Sequence, residues 1–81
     1  MTAPHSARLV FEYSSPDAAA LVARSVRVER DDIDGDRTSA TVERDGATLR
    51  VVVDAADPTA LRAGLNTWAT FVEVAETVAG A

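Results

Sequence analysis

Cysteine and lysine are both missing from the 81 residues of this chain. Without cysteine there is no disulfide and no thiolate metal site. Without cysteine or lysine, two of the usual nucleophiles of covalent catalysis are gone. One histidine is present, His5, close to the N-terminus. No nucleophile–base pair can be assembled from what remains. Apolar runs are also short: none approaches the roughly 20 residues of a membrane span. Met1 to Ser6 are small or polar and form no apolar core, so neither a targeting segment nor a membrane partner is expected, and the cytoplasm is the expected location.

Length sets the next bound. A chain of 81 residues makes a single domain over residues 1–81, with 1–6 expected as a flexible tail. By size scaling it buries only about 60% of its unfolded surface. Domains of this size are marginal without a disulfide, a metal or a partner. The first two are not available from these residues, which leaves association.

All eight cations are arginine, against thirteen carboxylates, for a net charge of −5. Alanine, valine and threonine are abundant, and isoleucine occurs once. Acidic, lysine-poor surfaces of this kind suit a salt-in halophile, where concentrated salt screens the self-repulsion. A GC-rich genome gives the same bias through its codons. Under either origin, acidity alone names no partner.

The order of elements is legible. Ala7 to Tyr13 alternates, with Leu9, Phe11 and Tyr13 on one side, and reads as a half-buried strand. Ser15-Pro16 then opens a helix to about Val28, with Ala18, Leu21, Val22, Ser25 and Val26 inward and Arg24 and Arg27 outward. Glu29 to Arg37 reads as an acidic loop. Thr38–Asp45 and Thr48–Ala55 are strands joined at Asp45-Gly46, a hairpin signal. Asp57-Pro58 repeats the cap-and-proline start, and the second helix extends to about Val78 before Gly80. The result is an α+β domain of order βαββα: a three-stranded antiparallel sheet with both helices on one face.

The second helix carries more apolar residues than a monomer needs. Leu61, Leu65, Trp68 and Val72 fall in one stripe at about 100° per residue and are assigned to the core. A second band beside it holds Ala60, Gly64, Thr67, Phe71, Val74 and Val78. A surface helix usually shows a stripe about 100° wide. The wider arc here predicts burial on two sides, with the second band against another protein. Gly64 in mid-helix costs about 1 kcal/mol relative to alanine, and a close helix crossing would offset it.

Other chemistry is weak. Glu73 and Glu76 are three residues apart and read as a solvated pair rather than an acid–base couple. Asp31 to Asp36 suggests a calcium loop, but the register fails. With Gly35 at loop position six, Arg30 takes position one and Thr41 position twelve, where carboxylates are required. No metal site and no cofactor is expected. Arg24, Arg27, Arg50 and Arg62 are candidate phosphate contacts, since arginine grips phosphate through its planar fork. Neither a Gly-x-x-Gly loop nor the aromatic ribonucleoprotein motifs are present.

One set of residues goes further. The hairpin strand ends in Ala55-Ala56-Asp57, followed by Ala60-Leu61-Arg62-Ala63 and Leu65-Asn66-Thr67. This spacing resembles the Ala-x-Asp, Leu-Arg-Ala and Asn-Ser or Asn-Thr pattern of the small dimerisation subunit of the archaeal KEOPS complex, the polarised growth chromatin-associated controller family. Asp57, Leu61, Arg62, Ala63, Asn66 and Thr67 match it, and the element order extends the likeness over nearly the whole chain. Thr70 departs from it, standing where an arginine is common. The resemblance implies a non-catalytic homodimer. It would bind the ATP-dependent catalytic subunit through packed helices and help dock the tRNA that receives a threonylcarbamoyl group. Arg62 and Asn66 would serve hydrogen bonding between elements rather than tRNA contact. The rival readings are a free-standing RNA-binding domain of KH-like shape and a small enzyme.

Overall fold

A computed structural model describes residues 5–33 and 38–80. The order is β1 (His5–Glu12), α1 (Pro16–Ile33), β2 (Thr38–Asp45), β3 (Thr48–Ala55) and α2 (Pro58–Ala79). The three strands form one antiparallel sheet in the order β1-β3-β2. This is the expected α+β architecture, and the β2 and β3 boundaries are the expected ones.

The central strand β3 alternates completely. Leu49, Val51, Val53 and Ala55 are buried beneath the helices, and Thr48, Arg50, Val52 and Asp54 are half-buried on the other side. Register carries that division to the neighbours: Val51 sits between Leu9 and Val42, and Val53 between Ala7 and Ala40. Ala19, Val22, Ala23 and Val26 of α1, with Trp68, Val72 and Ala75 of α2, complete the core. Trp68 is its largest fully buried side chain. Each fully buried valine or leucine is worth about 1.5–3 kcal/mol.

The turns follow local chemistry. Gly46 takes φ 60° at the first central position of the hairpin, while Ala47 keeps a negative φ, as two-residue turns with a leading glycine do. Ser15 Oγ accepts from the Ala18 amide at 3.1 Å and caps α1. Asp57 Oδ1 accepts from the Ala60 amide at 2.8 Å and caps α2, with Pro58 in the first turn. Gly80 closes α2 at φ 72°.

Three expectations change. β1 begins at His5, which pairs with Ala55, and Ser6 pairs with Asp54, so these two residues belong to the sheet rather than to a tail. α1 continues past Val28 to Ile33, because no glycine or proline interrupts it before Gly35. The expected Asp34-Gly35 turn lies outside the described residues. The inner face of α1 is rotated: Ala19, Val22, Ala23 and Val26 are buried, whereas Leu21 is 46% exposed and Ser25 is exposed. Positions 19, 22, 23 and 26 obey the same helical spacing as 18, 21, 22, 25 and 26, and the alanine run lets the smaller face enter.

Candidate functional site

On α2 the buried line runs through Gly64, Trp68, Val72 and Ala75, with Leu61 and Leu65 partly buried and packed on the core. Gly64 belongs to this line, not to the outer band. A Cβ built there would stand 3.0 Å from Val53 Cγ1 and 3.5 Å from Thr38 Cγ2. The glycine therefore lets α2 lie close on β3 and β2. The close approach is helix to sheet, rather than helix to helix.

The remaining band residues face outward to different degrees. Ala60 and Phe71 are half-buried, Thr67 is exposed, Val74 is 56% exposed and Val78 is 81% exposed. Phe71 also packs on the core, its ring 6.5 Å from that of Trp68 and tilted by 46°. Ser25 of α1 closes a recess of about 190 Å³ with Phe71, Val74, Ala75 and Val78. Leu21, one helical turn before Ser25, presents a further apolar side chain on α1. An apolar groove thus follows the outer junction of the two helices. Sequence reasoning missed the α1 wall, because it turned Leu21 and Ser25 inward.

The family-motif residues divide by role. Asp57 caps α2, and Leu61 packs against the core. Arg62, Ala63, Asn66 and Thr67 are exposed. Neither the Arg62 nor the Asn66 side chain makes a hydrogen bond among the described residues, so the expected inter-element bonding is not observed there. With Glu73 and Thr77 they form a polar strip on another side of α2 from Val74 and Val78.

The four candidate phosphate contacts do not converge. Arg24 and Arg27 lie together on α1, where they meet Arg44 of β2. Arg50 stands on the open face of the sheet between Val10 and Glu43, and Arg62 on α2. Arg44 was not singled out from the sequence. Strand alternation from Val42 was the available signal, since it puts Arg44 on the helix side of the sheet.

The Tyr13 phenol is clearly perturbed. The Tyr13 phenol donates to Glu76 Oε2 at 2.7 Å and ties the end of β1 to α2. Burial, the hydrogen bond and the carboxylate's charge all hold the phenol above its ordinary pKa. This stabilises a neutral donor; it does not create a base. Among the described residues no cluster of histidine, cysteine and carboxylate groups could hold a metal ion, and no helix is long and apolar enough to cross a membrane.

No curated protein matches the chain. Residues 6–80 match the model of the family described as transcription factor Pcc1. With nearly the whole length matched and the βαββα order in place, the chain belongs to the Pcc1 family, the accessory subunits of the KEOPS tRNA-modification complex.

Proposed function

We propose that this chain is a non-catalytic scaffold of the KEOPS complex, acting in the cytoplasm. It dimerises, holds the ATP-dependent catalytic subunit on the outer junction of its two helices, and assists docking of the tRNA that receives the threonylcarbamoyl group. The observation that carries this reading is the apolar recess of Phe71, Val74 and Val78, with exposed Leu21 one helical turn from its Ser25 wall. Val74 and Val78 serve no contact in the core, yet they continue the line of Phe71 along α2. Covering such side chains yields about 1.5–3 kcal/mol each when burial is complete. The small residues Ser25, Ala60 and Thr67 beside them leave room for a further helix to settle between α1 and α2.

The exposed motif residues support the same reading. Arg62 and Asn66 contribute nothing visible to the stability of the described fold, so a role in the assembly accounts for their place in the pattern. Catalysis has no support in the residue set, which lacks a nucleophile with an adjacent base.

Co-purification with the catalytic subunit tests the proposal. Val74→Asp combined with Val78→Asp places charge in the groove without entering the core. The variant should keep the circular dichroism of the parent and lose the catalytic subunit. Retention of that subunit by the folded double variant would sink the groove assignment. Phe71→Asp is the poorer choice, since Phe71 also contacts the core. If the unaltered chain instead captures bare tRNA in a strongly salt-sensitive way without the subunit, the RNA-binding alternative gains.

A further inference from the structure

We infer that the recess between α1 and β2 receives a phosphate oxyanion, held by Arg24, Arg27 and Arg44. The recess is open, encloses about 440 Å³, and is lined by these three arginines and Ala20. Arg24 and Arg27 are three residues apart on α1 and therefore share a face. Arg44 follows Ala40 and Val42 on the helix side of β2 and reaches the recess from the opposite wall.

Two of the guanidinium groups are already held in position. Arg27 Nη2 donates to the Val42 carbonyl at 3.2 Å, and Arg44 Nη1 donates to the Gly46 carbonyl at 3.0 Å. A guanidinium has five N–H donors and each bond uses one, so most of the donors stay available. Anchoring to the backbone lowers the entropy lost when an anion binds. The planar fork of arginine matches the paired oxygens of a phosphate.

Among the described residues the charge lining the recess is cationic, despite the acidity of the whole chain. No carboxylate among the described residues lines it. Glu43 and Asp45 flank Arg44 in sequence but point to the other face of β2, where they pair with Arg50 and Thr48. Asp17 is seven residues before Arg24, about 10 Å along the helix axis. The screening length in physiological salt is about 8 Å, so Asp17 is largely screened at the recess.

The oxyanion has two sources: the phosphodiester backbone of RNA, or free phosphate. The RNA source rests on the tRNA-docking part of the proposed function; the free-phosphate source does not. The test follows the arginine Nε–Hε signals of the full chain by nuclear magnetic resonance at constant ionic strength. Inorganic phosphate is added first, and in a separate titration a short RNA duplex. Saturable shifts at Arg24, Arg27 and Arg44, with Arg50 and Arg62 unmoved, are expected. Arg24→Gln or Arg44→Gln should weaken binding about tenfold, the loss of one charge-assisted hydrogen bond. Arg44→Lys, which keeps the charge and loses the fork, should recover only part of that.

Saturation by phosphate but not by RNA would uphold the site and assign it to the free ion. Saturation by RNA would assign it to the phosphodiester. Equal shifts at Arg50 and Arg62, or no saturable shift with either probe, would overturn the inference. Circular dichroism of the glutamine variants separates lost binding from lost fold. Failure of the scaffold reading would show separately, in co-purification of the catalytic subunit, which neither titration involves.

Discussion

At Gly64 an added methyl group would meet Val53 Cγ1 at 3.0 Å, tighter than nearly all real Cβ contacts. Val53 is fully buried and stiff at its branched carbon, so it has little room to yield. Alanine would gain about 1 kcal/mol in helix propensity, while overpacking costs about 1–3 kcal/mol. Overpacking should win. Gly64→Ala is expected to lower the thermal midpoint by a few degrees, since about 1 kcal/mol corresponds to roughly 4–8 °C in a domain of this size. A raised midpoint would show that α2 can lift from the sheet. Tyr13 makes a second residue-scale case. Its phenol titrates above the ordinary value when folded, so its contribution is fully present below about pH 10 and is lost as pH rises through the folded pKa. Chemical denaturation of the parent and of Tyr13→Phe should therefore differ near neutral pH and converge in strong alkali. A constant difference across that range would remove the phenol–carboxylate bond from the account.

At the scale of elements, local chemistry explains both what the sequence reveals and what it hides. Thr38–Asp45 and Thr48–Ala55 were legible because alternation and a glycine turn agree on the same boundaries. The start of α2 was legible for a similar reason: Asp57 and Pro58 each favour a helix N-terminus. Asp57→Ala should cost about 1 kcal/mol through the lost cap, visible as a lower midpoint with unchanged helix content in the native state. A midpoint within error of the parent would mean that another acceptor replaces the carboxylate. The end of α1 was hidden, because acidic composition suggested a loop where only a breaker residue would have required one. Its inner face was hidden too. Ala18, Ala19 and Ala20 supply little contrast, and the choice between Leu21 inward and Ala23 inward depends on how near the sheet α1 must lie. Gly64 was misplaced because helix periodicity gives a direction but not the element that stands there. The outer groove was half legible. Val74 and Val78 followed from the width of the apolar arc, but the α1 wall required the true rotation of that helix.

At the scale of the whole molecule, the two sides of the sheet are unequal. The helices cover one side, and the other carries Val10, 53% exposed, beside half-buried Val52 and Arg50. A compact chain of this mass exposes roughly 4,700 Å², about 40% of the surface of its unfolded form. A domain with this much surface left over gains stability by pairing. If two copies associate, the folded state should be favoured by mass action, and the thermal midpoint should rise with chain concentration. Each copy carries a net charge of −5, so the copies repel each other until salt screens them. The rise should therefore be steeper in concentrated potassium chloride than in dilute buffer. Two variants then locate the contact. Loss of the concentration dependence in Val10→Asp would put the dimer on the bare face of the sheet, leaving the helix groove for the catalytic subunit. Loss in Val74→Asp with Val78→Asp would make dimer and catalytic subunit compete for one groove, and a scaffold joining two copies of the enzyme could not be built that way. A midpoint independent of concentration at every salt level would rule out the dimer itself, because stability gained by pairing cannot be indifferent to how many partners are present.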